Sequence, residues 1–70
     1  MANYTVAKVV EIVGSSKDGW AEAADTAVRT ASKTIKNMTG VQVEGMTAQV
    51  KDGKISMYKT TVKVAFGVEG

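Results

Sequence analysis

The sequence predicts an α+β fold in which a three-stranded antiparallel sheet curls around one helix, in the order β-α-β-β. Three observations predict it. One stretch alone has helical periodicity, three stretches have the composition and alternation of strands, and an Asp-Gly pair separates the last two strands. The chain has 70 residues, which predicts one small domain over residues 1–70.

The helix is predicted from Lys17 to Met38. Its apolar residues recur at three- and four-residue spacing, which places them on one face: Trp20, Ala23, Ala24, Ala27, Val28, Ala31, Ile35 and Met38. Ser15 or Ser16 is expected to cap the helix start, and Gly40 to end the helix in the left-handed conformation. Because half of these apolar residues are alanine, the helix is expected to lie close to the sheet.

Charge order also favours this helix. Acidic residues come early and basic residues late, which suits the helix dipole. Asp25 and Arg29 are four residues apart and are expected to form an ion pair. Trp20 is interpreted as a packing residue of the apolar face.

Two strands flank the helix in the sequence. The first is predicted from Asn3 to Val13, and Gly14-Ser15-Ser16 is expected to turn the chain into the helix. The second is predicted from Val41 to Lys51. Its apolar alternation changes phase at Glu44-Gly45, which predicts a β-bulge there with a positive φ at Gly45.

The third strand is predicted from Lys54 to Val68, after an Asp52-Gly53 hairpin turn whose two residues both need positive φ. At about 3.3 Å per residue this strand is roughly 50 Å long. It exceeds either predicted partner, so part of it is expected to overhang the sheet and to pair with a neighbouring subunit.

Composition excludes several functions. The chain has no His and no Cys, so neither the commonest general base nor a thiolate is present; no catalytic residue, metal ligand set or enzyme activity is predicted. The net charge of +2 does not predict nucleic-acid binding. No apolar run reaches the roughly 18–20 residues of a membrane helix. A cytoplasmic protein without a membrane partner is expected.

The sequence resembles the dodecins, small β-α-β-β proteins that assemble as hollow homododecameric shells and typically bind flavin. The resemblance rests on AKVVEIVGSS at Ala7 to Ser16, on ASKTIKN at Ala31 to Asn37, on KDGKISMYKTTVKVAFGVE at Lys51 to Glu69, and on the spacing between them. It covers nearly the whole chain and implies a homododecamer with a flavin-type ligand.

The resemblance also implies where flavin contacts would lie, and there the sequence departs from it. A Trp that stacks on the isoalloxazine ring would align with Gly40, and a Gln that hydrogen-bonds the ring with Lys59. Two arginines would align with Thr47 and Gly67. None of the four matches, so weak or absent flavin binding is predicted, and the cofactor stays unknown.

Three functions therefore stay open. The first is a dodecin-like shell that binds or stores a small ligand. The second is a structural or ion-binding shell without flavin, in which a symmetry axis gathers copies of one acid. The third is a nucleic-acid-binding sheet that uses Tyr58 with Lys8, Lys59 and Lys63. It is disfavoured because Tyr58 and Lys59 point to opposite faces.

Overall fold

A computed structural model describes residues 6–68 and confirms the predicted fold class. Strand β1 spans Val6–Ser16, helix α1 spans Trp20–Ala31, β2 spans Met38–Lys51 and β3 spans Lys54–Val68. The three strands form one antiparallel sheet in the order β1-β3-β2. Residues 3–5, at the start of the predicted first strand, lie outside the described residues.

The end of β1 corrects two predictions. Gly14, Ser15 and Ser16 do not form a turn but continue the strand, where they pair in register with Thr60, Lys59 and Tyr58. Pairing satisfies backbone groups that a turn would leave to water. Neither serine therefore caps the helix, whose N-cap is Gly19 without a side-chain cap hydrogen bond.

The helix is shorter than predicted at both ends. Past Ala31 the chain turns, and Asn37 rather than Gly40 adopts the left-handed conformation, with φ of 65°. Asn tolerates this conformation among non-glycine residues, which frees Gly40 to lie within β2. The predicted ion pair is present, with Arg29 Nη2 2.9 Å from Asp25 Oδ2, but both side chains are largely exposed and contribute little stability.

The hairpin turn is confirmed. Asp52 has φ of 54° and Gly53 has φ of 75°, so both central residues take positive values. This geometry matches the twist of the strands it connects.

The bulge in β2 is confirmed, but its predicted backbone conformation is wrong. The register shifts between Val43 and Gly45, so that Val43 pairs with Val62 and Met46 with Thr60. The apolar residues on both sides of the shift therefore stay on one face of the sheet. The φ of Gly45 lies outside the left-handed range, and a Cβ there would meet no atom within 4 Å. A side chain at this position would therefore meet neither a strained φ nor a clash.

The predicted overhang of β3 is present in part. β3 is the central strand: it pairs with β2 from Lys54 to Phe66 and with β1 from Tyr58 to Val68. Each residue range of β3 thus has a partner within the chain on at least one side, but residues 54–57 extend beyond β1 and have no partner on that side. Pairing of this segment with a neighbouring subunit stays a prediction.

The core is small and lies between α1 and the β1–β3 half of the sheet. Its buried apolar residues are Ala23, Ala27, Ala31, Val62 and Val64. Alanines bring the helix axis close to the sheet, as predicted. The helix contacts β1 and β3 much more than β2, so the side of β2 that faces the helix layer stays uncovered.

Ala27→Leu should overpack the contact between α1 and the sheet, which we call the helix seam. Ala27 is buried against Val62 and Val64, and added carbons in a filled core typically cost about 1–3 kcal/mol. We expect a lower thermal midpoint than that of the parent at equal protein concentration. Ala21→Leu, on the exposed side of the helix, is the control. Equal midpoints for Ala27→Leu and the parent would contradict a tight seam.

Candidate functional site

The sheet has two faces with different chemistry. We call the side that does not contact α1 the outer face. Alternation and register assign the following residues to it: Ala7, Val9, Glu11, Val13, Ser15, Gly40, Gln42, Gly45, Thr47, Lys59, Thr61, Lys63, Ala65 and Gly67.

The outer face carries all four positions where a flavin contact was expected from the resemblance. Thr47 and Lys59 are direct cross-strand partners. Gly40 pairs with Ala65, and Gly67 is the next outer-face residue of β3. The sequence alone does not show that these positions share one face. The bulge in β2 determines on which face of the sheet the side chains after Gly45 lie.

The four positions nevertheless form two separate groups within one chain. Ala65 lies six residues beyond Lys59 on β3, which is about 20 Å along a strand. A ring that lies over Gly40 in one chain is therefore far from Lys59 of that chain. A ligand could contact both groups only where two copies of the chain meet.

The Gly40 group surrounds an open hollow of about 470 Å³, lined by Val9, Gly40, Val41, Gln42, Lys63 and Ala65. A Cβ at Gly40 would meet no atom within 4 Å, so a larger side chain has space there. Gly67, at the end of this group, is buried, and its N–H donates a hydrogen bond of 2.9 Å to the Asn37 carbonyl oxygen.

The Lys59 group is a row of donors across the three strands. Ser15 on β1 and Thr47 on β2 both pair with Lys59 on central β3, and Thr61 is the next outer-face residue of that strand. Within residues 6–68 the hydroxyls of Ser15, Thr47 and Thr61 have no protein hydrogen-bond partner. Lys59 forms no ion pair within that range.

Lys63, four residues away, has a different environment. Its Nζ lies 3.1 Å from Glu44 Oε1, with both side chains partly exposed, and Glu11 is its cross-strand partner on β1. The positive charge of Lys63 is therefore locally balanced, whereas that of Lys59 is not.

Trp20 lies on the opposite side of the sheet from this row. Its ring packs edge-to-face on Tyr58 at a centroid distance of 4.7 Å, and its Nε1–H donates a 3.0 Å hydrogen bond to the Thr47 carbonyl oxygen. The Thr60 hydroxyl donates to the Trp20 carbonyl oxygen at 2.8 Å. Trp20 thus packs, as interpreted from the sequence, and also ties the helix start to the backbone of β2.

Among residues 6–68 no aromatic ring lies on the outer face, since Trp20, Tyr58 and Phe66 are all on the helix side. Tyr58 and Lys59 consequently point to opposite faces, as expected from alternation, and do not form a base-stacking surface. The described part of the chain contains no group of three acidic side chains that could hold a metal ion. It also contains no helix long and apolar enough to cross a membrane.

This geometry defines a small sheet protein with one helix-covered face and one open face that carries polar and basic groups. The family model of dodecin matches residues 6–69. The chain belongs to the dodecin family, whose members bind ligands and are not enzymes.

Solved structures agree with this assignment. Dodecin from Streptomyces coelicolor is 33% identical with a TM-score of 0.89, and the match covers 100% of this chain and 99% of that one. Dodecin from Streptomyces davaonensis is 32% identical with a TM-score of 0.89, over 99% and 100%. A calcium dodecin from Mycobacterium tuberculosis is 30% identical with a TM-score of 0.80, over 93% of each chain. A search of curated proteins finds no match.

Proposed function

We propose that the chain assembles into a closed homododecameric shell whose outer faces bind a small ligand, and that flavin is a poor ligand for it. The observation that carries the assembly is an uncovered apolar stripe on β2, on the helix side of the sheet. The family membership supports a shell, and the absence of Cys is in keeping with the proposed cytoplasmic location.

The stripe consists of side chains that one chain leaves about half or more exposed to water. Val41 is 51% exposed, Val43 49% and Met46 60%. They pair with Val64, Val62 and Thr60, so they line the same side as the core without helix cover. A contiguous apolar patch of this kind usually marks a protein contact.

The small core strengthens this argument. Three of its five buried apolar residues are alanines, and a chain of this size usually needs a further source of stability. The chain has no Cys for a disulfide. Burial of the stripe by another copy would supply the missing apolar contact.

Weak flavin binding follows from the chemistry of the outer face. Stacking on an aromatic ring contributes about 0.5–1.5 kcal/mol beyond burial, and Gly40 offers no ring. Lys59 donates but cannot accept, so it does not reproduce a Gln amide that pairs with a ring edge. Thr47 and Gly67 supply no cation for a phosphate or a ring carbonyl.

An ion-binding shell without flavin stays the alternative. One similar structure is described as a calcium dodecin with a novel calcium-binding site. In this chain the described carboxylates form no cluster, so a calcium site would require copies of one acid brought together by symmetry. Calcium calorimetry on the assembled protein distinguishes this alternative.

Native mass spectrometry at low micromolar concentration tests the shell. We expect a dodecamer for the parent and a smaller main species for Val43→Lys, because the substitution places a charge in the apolar stripe. Ser32→Lys adds the same charge on an exposed turn after α1 and should retain the parent mass.

Two results would contradict the proposal. A folded monomer as the main species of the parent protein would refute the proposed shell. A parent-like mass for Val43→Lys, with the circular dichroism of the parent, would show that the stripe is not at the interface.

A further inference from the structure

We propose that the row formed by Ser15, Lys59 and Thr47, with Thr61 beside it, binds a small tetrahedral oxyanion of the phosphate type. This proposal deepens the proposed function, since it names the ligand chemistry of the same outer face. It depends on the outer face being the ligand face, but its geometry is complete within one chain.

The first argument is the number of donors that converge there. Ser15 and Thr47 flank Lys59 as cross-strand partners on either side, and partner side chains on one face lie about 4.5–5.5 Å apart at Cβ. Thr61 follows two residues along the same strand. An ammonium and three hydroxyls therefore point to the same side of the sheet within the space of one small ligand.

The second argument is that these donors have no other protein partner. Most other described hydroxyls of Ser and Thr, though not those of Ser16 and Thr30, donate to a backbone carbonyl oxygen: Thr26, Ser32, Thr34, Thr39, Ser56 and Thr60. In residues 6–68, the hydroxyls of Ser15, Thr47 and Thr61 do not. Those donors are available to a ligand without first breaking a bond within the protein.

The third argument is local charge. Glu44 contacts Lys63 at 3.1 Å, and Glu11 is in register with Lys63. The two cross-strand partners of Lys59, by contrast, both carry a hydroxyl and neither carries a negative charge. Lys59 is partly buried on the central strand, where screening by solvent is weaker than on an edge, so an anion there gains more from its charge.

The fourth argument concerns the shape of the ligand. No described aromatic ring lies on the outer face, so a flat heterocycle finds nothing to stack on within one chain. Charge-assisted hydrogen bonds from an ammonium and hydroxyls suit an oxyanion with several acceptor oxygens. Recognition at this row is therefore by donors rather than by stacking.

The backbone of the row is also held in place from the other side. Trp20 donates to the Thr47 carbonyl oxygen across a distance of 3.0 Å, and Trp20 is the single Trp of the chain. Its emission therefore reports on this segment of β2 without a label. A ligand at Thr47 should change that emission.

Titration of the parent with inorganic phosphate, by calorimetry and by Trp20 emission at constant ionic strength, tests the proposal. We expect saturable binding that Lys59→Gln weakens at least about tenfold, because a charged donor is lost. Thr47→Val, which removes a hydroxyl at nearly constant shape, should weaken it less. Lys63→Gln is the matched control and should stay near the parent, since Lys63 is already paired with Glu44.

The outcomes separate this proposal from the proposed shell, because native mass is measured on the same samples. No saturable phosphate binding by an intact dodecamer would overturn the oxyanion site and leave the shell standing. Equal weakening by Lys59→Gln and Lys63→Gln would overturn it too. Phosphate would then respond to the overall positive charge of the outer face and not to the row around Lys59. If phosphate binding depends on Lys59 and the protein is a monomer, the oxyanion site is supported and the proposed shell is refuted.

Discussion

Gly14→Ala should destabilise the protein more than the same methyl addition at Gly19, Gly40, Gly45 or Gly53. A Cβ at Gly14 would clash with the Ala23 carbonyl oxygen and would lie 2.9 Å from the Ala27 Cβ. Both contacts belong to the helix seam, and the nearer one is backbone, which moves only if the whole helix moves. Overpacking usually costs about 1–3 kcal/mol, and we expect a cost at or above the upper value.

For a domain of this size a loss of about 3 kcal/mol lowers the thermal midpoint by more than about 10 °C. Thermal unfolding followed by circular dichroism at one protein concentration measures it. Gly45→Ala is the control: the change is chemically identical, but its Cβ meets no atom within 4 Å. A midpoint for Gly14→Ala within 2–3 °C of the control, roughly 0.5 kcal/mol, would contradict the close approach of helix and strand.

Gly14 illustrates the difference between features that neighbouring residues determine and features that contacts distant in sequence determine. The Asp52-Gly53 turn was predicted because turn geometry depends on those two residues alone. The bulge near Gly45 was predicted because a change of apolar phase is visible in one strand. Gly14 looked like part of a turn, since nothing near it in the sequence reveals that Ala23 crosses above it.

The helix ends were missed for a related reason. Gly40 and the serines before the helix are good cap residues by local propensity, yet pairing with β3 places Gly40 and Ser16 in strands. Tertiary pairing therefore outweighed propensity at both ends. Similarly, β3 looked too long for its partners because the sequence does not show that it is central and pairs on both sides.

The candidate site was predicted in part. The identities at Gly40, Thr47, Lys59 and Gly67 indicated a departure from flavin binding. Their placement on one face, in two groups, depends on the register shift in β2 and on the strand order. The donor row around Lys59 was not predicted at all, because Ser15 and Thr47 are distant in sequence and only the central position of β3 brings them together.

The triple variant Gly40→Trp, Thr47→Arg, Lys59→Gln should gain riboflavin affinity over the parent. The Gly40 position has space for an indole, since its Cβ would point into an open hollow beside Val9 and Ala65. A stacked ring contributes about 0.5–1.5 kcal/mol beyond burial, and an amide at position 59 can both donate and accept. Together these changes should raise affinity at least about tenfold.

Quenching of riboflavin emission, excited in the visible range where Trp does not absorb, measures the gain. Because the two groups lie about 20 Å apart along one chain, they can act on one ring only across two copies. Gly40→Trp alone and the pair Thr47→Arg with Lys59→Gln are therefore the matched controls, and we expect each to recover less than the triple variant. If the gains in riboflavin binding free energy of the two control variants add up to that of the triple variant, the two groups contact separate ligands.

Two results would overturn this prediction. If the parent already quenches riboflavin at submicromolar concentration, the outer face builds a flavin site from residues other than these four. If the triple variant retains the native mass of the parent but binds riboflavin no better, the residues at positions 40, 47 and 59 are not what weakens flavin binding. The remaining difference would then lie in how neighbouring copies present their outer faces to one another.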